Sequence, residues 1–114
     1  MRPTIISLLL FALSSAGASA GGVAMCLEKS GTTEAQCACA EAALIEEIGA
    51  DDAGIYDRVG TRYLESREAG QSMGDSWDAA IAATAAEIGV GRTALLTRMN
   101  VAGKAHRGAI KACE

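Results

Sequence analysis

The sequence predicts an exported all-α domain, a small disulfide-stapled bundle of four main helices and a short N-terminal helix. Three observations carry this: apolar residues recur at steps of three and four, Pro is absent after residue 3, and four cysteines follow a segment built like a secretory signal. Strand-like alternation is sustained nowhere.

The signal comes first because it decides how the cysteines are read. Arg2 supplies a short positive region, Ile5 to Leu13 an apolar core interrupted by Ser7 and Ala12, and Ala18-Ser19-Ala20 a small-x-small cleavage site. Cleavage after Ala20 leaves residues 21–114 as a single helical domain. The apolar run is too short for a bilayer core of about 30 Å, and no second run follows it, so no membrane insertion of the mature chain is expected. A lipid-acceptor cysteine is excluded, because Cys26 follows the bulky Met25 and lies well beyond the apolar core. The expected location is periplasmic or secreted, and the preference for Ala, and for Arg over Lys, points to a bacterial exporter.

Each helix has its own start and stop. A first short helix is expected over residues 22–29, ending at Ser30-Gly31. Thr33 with Gln36 three residues on reads as a capping box, in which each side chain covers the other's free backbone N–H. The second helix runs to Ile48, with Gly49 as its left-handed stop. Asp51 or Asp52 then caps a third helix with a stripe of Ile55, Val59 and Tyr63, fading near Glu68. After a loop from Gly70 to Gly74, Asp75 caps a fourth helix carrying Trp77, Ile81, Thr84 and Ile88 on one face, and Gly89 stops it. The last helix, from Arg92 to Ala112, sets Leu95, Met99, Ala102, His106 and Ile110 on a stripe that ends at Cys113. Gly103 and Gly108 each weaken it by about 1 kcal/mol relative to Ala, mark close packing, or allow a bend near Asn100. Glu47-Ile48-Gly49 is echoed forty residues on as Glu87-Ile88-Gly89, which fits either a duplicated helix-Gly-helix unit or shared capping grammar.

In an exported chain an even cysteine count points to disulfides. Cys37 and Cys39, two apart on a helix, point about 200° away from each other and cannot bridge. Two pairings remain: Cys26 with Cys37 and Cys39 with Cys113, or Cys26 with Cys39 and Cys37 with Cys113. Cys26 and Cys37 lie about equally far from the turn at 30–33, as facing positions of a helix hairpin do, which favours the first. Against it, Cys37 shares the stripe of Ala40, Leu44 and Ile48 that core-facing Cys113 would meet. In either pairing the long loop is worth roughly 4 kcal/mol in the chain-entropy model, much of a usual total of about 5–15 kcal/mol.

Charge and motifs narrow the function classes. The processed chain carries nine basic against fourteen acidic side chains, a net charge near −5, with no Lys/Arg cluster, so nucleic acid is not an expected partner. Residues 21–57 hold eight acids and Lys29 alone as a base, whereas residues 58–114 hold eight bases and six acids. No hydrolase or zinc motif occurs, and a single histidine would have to serve any general-base scheme. Enzyme activity, catalytic residues, a metal site and a cofactor are therefore not expected. Cys37-x-Cys39 lacks the adjoining strand of thiol oxidoreductases. Asp51, Asp52 and Asp57 read as caps and surface charge, and His106 as a packing residue or a positive charge near a helix C-terminus. What remains is a protein-interaction module, of an inhibitor, immunity or chaperone-like kind, that binds another exported protein. Its contact surface is expected at Tyr56, Tyr63 and Trp77, or on the acidic second helix at Glu41 and Glu46. A carrier of an apolar ligand or lipid is the alternative, and a structural or stress-protective protein the second alternative.

Overall fold

The computed structural model describes residues 20–114; the signal segment up to Ser19 lies outside the described residues. The described residues form five helices and no strand: α1 (Ala20–Leu27), α2 (Glu34–Ile48), α3 (Ala50–Glu68), α4 (Met73–Ile88) and α5 (Arg92–Ala112). It is a small all-α bundle carrying two disulfides.

Thr33 Oγ1 accepts from the Gln36 amide at 3.1 Å, but the Gln36 side chain does not return the bond. Its Nε2 instead donates to the Ile110 carbonyl at 3.0 Å, tying the first turn of α2 to the last turns of α5. Gly49 ends α2 at φ 88° and ψ 160°, a positive-φ conformation open to glycine but outside the left-handed helical region, and the same residue opens α3. Because α3 starts at Ala50, Asp51 and Asp52 fall inside its first turn and neither caps it. They oppose the partial positive charge of the helix start from there, and Asp52 pairs with Arg98 of α5.

The cap of α4 is likewise not Asp75 but Ser72, whose Oγ accepts from the Asp75 amide at 3.2 Å. Helix formation reaches back to Met73, and Asp75 lies within the first turn. Gly89, at φ 73° and ψ 34°, does close α4 in the left-handed conformation. The forty-residue echo thus marks two helix junctions whose glycines differ in backbone: one residue separates α2 from α3, and three separate α4 from α5.

Helix α5 is continuous through Asn100, Gly103 and Gly108. A Cβ on Gly103 would meet the Arg107 guanidinium at an ordinary 3.6 Å, and one on Gly108 would meet nothing within 4 Å, so neither glycine is there for close packing.

The core has two parts. The larger is built from Leu44, Tyr56, Val59, Ile81, Leu95 and Met99 with the small residues Ala80, Ala85 and Ala102. The smaller joins Cys26, Cys37 and Ala40 to Ala109 and Ile110. Two disulfides hold these layers, Cys26–Cys37 with Cα atoms 5.6 Å apart and Cys39–Cys113 with Cα atoms 6.0 Å apart. Cys37 is fully buried and faces α1, whereas Cys39 projects from the exposed side of α2 toward the end of α5. Cys113 is half-buried, packs against the smaller cluster at the end of the α5 stripe, and stands at the C-cap of the helix. Among the described residues no single helix is long and apolar enough to cross a membrane.

Two stability measurements test this account. Replacing Cys39 and Cys113 together by Ser opens the 74-residue separation and should cost about 2–5 kcal/mol in urea melts under non-reducing conditions. Gly108→Ala, at an exposed helical position with open space beside it, should gain about 0.5–1 kcal/mol in the same assay.

Candidate functional site

The seven-residue spacing of Tyr56 and Tyr63 puts both rings on one face of α3, and the same spacing puts Met99 and His106 on one face of α5. Trp77 of α4 closes the group. Its ring meets Tyr63 edge-on with centroids 5.9 Å apart and Tyr56 at 6.3 Å. These are favoured aromatic geometries, in which a positive ring edge meets a negative face. The indole N–H donates to Asn100 Oδ1 at 3.2 Å, which fixes the ring against α5.

Around these rings α1, α3, α4 and α5 enclose a half-open cleft of about 990 Å³. Met25 and Met73 contribute flexible apolar surface to it, with Met73 65% exposed, and the fully buried Met99 lies beneath. Lys29, Arg67 and Arg107 line the cleft as well, together with Glu28 and Glu68.

Tyr56 and His106 form the buried polar contact of the cleft. The Tyr56 hydroxyl lies 2.9 Å from His106 Nδ1, and the two rings meet at 5.3 Å and 80°. Burial disfavours an imidazolium here, and Lys29 and Arg107 disfavour it further, so the His106 pKa falls to about 4. His106 is therefore neutral at pH 7, and its reading as a positive helix-end charge is corrected. Burial also raises the Tyr56 phenol well above its ordinary value. Whichever of the two groups carries the shared hydrogen, His106 Nε2 is buried with no partner among the described residues.

The candidate contact residues divide. Tyr63 and Trp77 are half-buried at the cleft, and Glu46 is exposed elsewhere on α2. Tyr56, 4% exposed, and Glu41, 8% exposed, are buried and present no outer surface. Asp57 is also buried, at 8%, so it is not surface charge. Its Oδ1 accepts from the Gly22 amide at 2.9 Å, and the Glu41 carboxyl adjoins it. Burial, reinforced by the neighbouring Asp57, pushes the Glu41 pKa up to about 7. Burial raises Asp57 too, against the lowering effect of the Gly22 amide.

The burial of these two acids was not expected, although each had a signal: Glu41 follows Ala40 on the Cys37–Leu44 stripe, and Asp57 follows Tyr56 among the small residues of α3. Among the described residues no three His, Cys, Asp or Glu side chains gather in a way that would hold a metal ion. Set against family models, curated proteins and solved structures, the chain matches none.

The His106 environment gives a pH test with a definite sign. Its pKa is lowered on folding, so its contribution to stability is complete above about 6.5 and is lost as pH falls through about 4. The His106 ring should remain neutral by NMR at pH 5. Between pH 6.5 and 4, His106→Gln should lose less stability than the wild type.

Proposed function

We propose that this is a non-enzymatic, exported binding module whose working surface is the cleft around Tyr63 and Trp77, and that its partner is another exported protein inserting an apolar segment there. The single observation that supports this is the cleft itself. Tyr, Trp, Met and Arg are the residue types enriched in buried interface cores, and all four types line this opening among few other large apolar side chains. Mixed charges beside an apolar interior suit a protein partner, whose polar rim can pair with them while the centre is desolvated.

The crosslinks support the export part of this reading. Two disulfides with no free cysteine suit an oxidising environment outside the cytosol. The signal-like segment supports export to the periplasm of a bacterium or beyond.

A second reading, a carrier of a lipid or other apolar ligand, is supported by the cleft volume, which falls near the upper end of the range for small-molecule sites. One experiment separates the two. The exported protein and its Trp77→Ala and Met73→Glu variants are used as bait in periplasmic extract, and solvent extracts of the purified protein are analysed by mass spectrometry. A stoichiometric polypeptide whose capture drops at least tenfold in both variants supports the module. A stoichiometric apolar molecule in the extract supports the carrier. Equal capture by all three proteins would remove the cleft as the binding surface.

A further inference from the structure

The start of α1 lies flush on α3. A Cβ on Gly21 would fall 1.8 Å from the Asp57 backbone oxygen. One on Gly22 would fall 2.6 Å from Glu41 Oε2 and 2.7 Å from Asp57 Oδ1. Backbone of α3 blocks any side chain at Gly21, whereas at Gly22 the obstacle is two carboxyl oxygens, one from Glu41 and one from Asp57, which converge beside its Cα. Asp57 has an evident task there, since it accepts the Gly22 amide and so caps α1 from another helix. Glu41 caps nothing. Its carboxyl adjoins that of Asp57, with which it can share a proton, but its Oε2 is buried with no partner among the described residues, and the ion pairs among those residues involve neither carboxyl. Without a cation such a pair avoids two buried charges by keeping a proton, which is why the Glu41 pKa is raised to about 7; a cation beside it would let both carboxyls ionise.

The missing charge is one that cleavage after Ala20 would create. Hydrolysis adds water across the Ala20–Gly21 peptide bond, leaving a carboxylate on Ala20 and an amine on Gly21 that takes up a proton. Backbone geometry sets that nitrogen about 3 Å from the Gly22 nitrogen. The Gly22 nitrogen is itself 2.9 Å from Asp57 Oδ1. With nothing ahead of it, the new group can turn about its own bonds toward either acid. We propose that the α-ammonium group of Gly21, formed by removal of the signal segment, is the counter-ion of the buried Glu41–Asp57 pair, so that processing completes the packing of α1 on α3. This goes beyond the binding role of the cleft and rests only on the export part of that reading. A cut one residue to either side would misplace the charge.

The test uses the full chain exported from a bacterial host. Intact mass identifies the first residue. The reaction rate of its α-amine with an acylating reagent is then followed at pH 7.5, folded and in urea, with the lysines of the same sample as reference. The expected result is Gly21 as first residue, with an α-amine at least tenfold slower to react in the folded protein. Ionic pairing is separated from simple burial by the ¹⁵N titration of Gly21. Facing Glu41 from α2 and Asp57 from α3, its pKa should lie at least about one unit above the ordinary 7.7–8.0, and it should fall back in Glu41→Gln. A first residue other than Gly21 would overturn both the processing reading and the proposal. Gly21 in first place but reacting at its unfolded rate, or titrating at the ordinary value, would overturn the proposal and leave export standing. Because the wild type alone supplies these results, they do not depend on whether Glu41→Gln folds.

Discussion

Helices α2 and α5 meet through small side chains, and the bond from Cys39 to Cys113 does for them what apolar area does in larger bundles. At the disulfide end of that contact Cys37, Ala40, Ala109 and Ile110 pack together, and of these only Ile110 is large. Because the side chains there are small, the covalent link and the Gln36 bond to Ile110 fix an arrangement that packing alone would hold weakly. The cleft depends on this. With the end of α5 anchored, His106 is held under Tyr56 and Asn100 against Trp77, and the ring geometry of the opening follows from their positions.

Much of the architecture was legible because glycines punctuate it. Gly49, Gly70 and Gly89 all take positive φ where helices end, and the stripes of three and four between them identified most of the buried residues. Starts were less legible than stops. Ser72 and Asp75 are both good caps in isolation, and the choice fell to Ser72 because Met73 and Gly74 were able to join the helix. Asp51 and Asp52 lost the role to a glycine, since a one-residue joint leaves no room for a separate cap.

Polar residues on a buried stripe were the least legible, for a physical reason. Periodicity tells which face of a helix turns inward, but not whether an acid on that face finds a partner elsewhere. The partner of His106 is fifty residues away, and Asp57 is linked to Gly22 across thirty-five. Four buried side-chain atoms lack partners among the described residues. Ser76 and Thr84 are helical hydroxyls, a type that commonly turns back to a carbonyl of its own helix. Glu41 and His106 have no such recourse, and local rules fail most often where a residue answers to function or to a distant group.

The order of the cysteines along the chain also bears on how the molecule is made. In an oxidising compartment entered N-terminus first, Cys26, Cys37 and Cys39 arrive before Cys113, which lies 74 residues after Cys39. Three thiols would then wait together without the fourth. The α1–α2 hairpin resolves this by direction. Once it forms, Cys26 faces Cys37, and Cys39 is left on the outer side of α2, out of reach of both until the last helix arrives. A two-residue offset on one helix thereby acts as a timetable, reserving one thiol for a partner that has not yet been made.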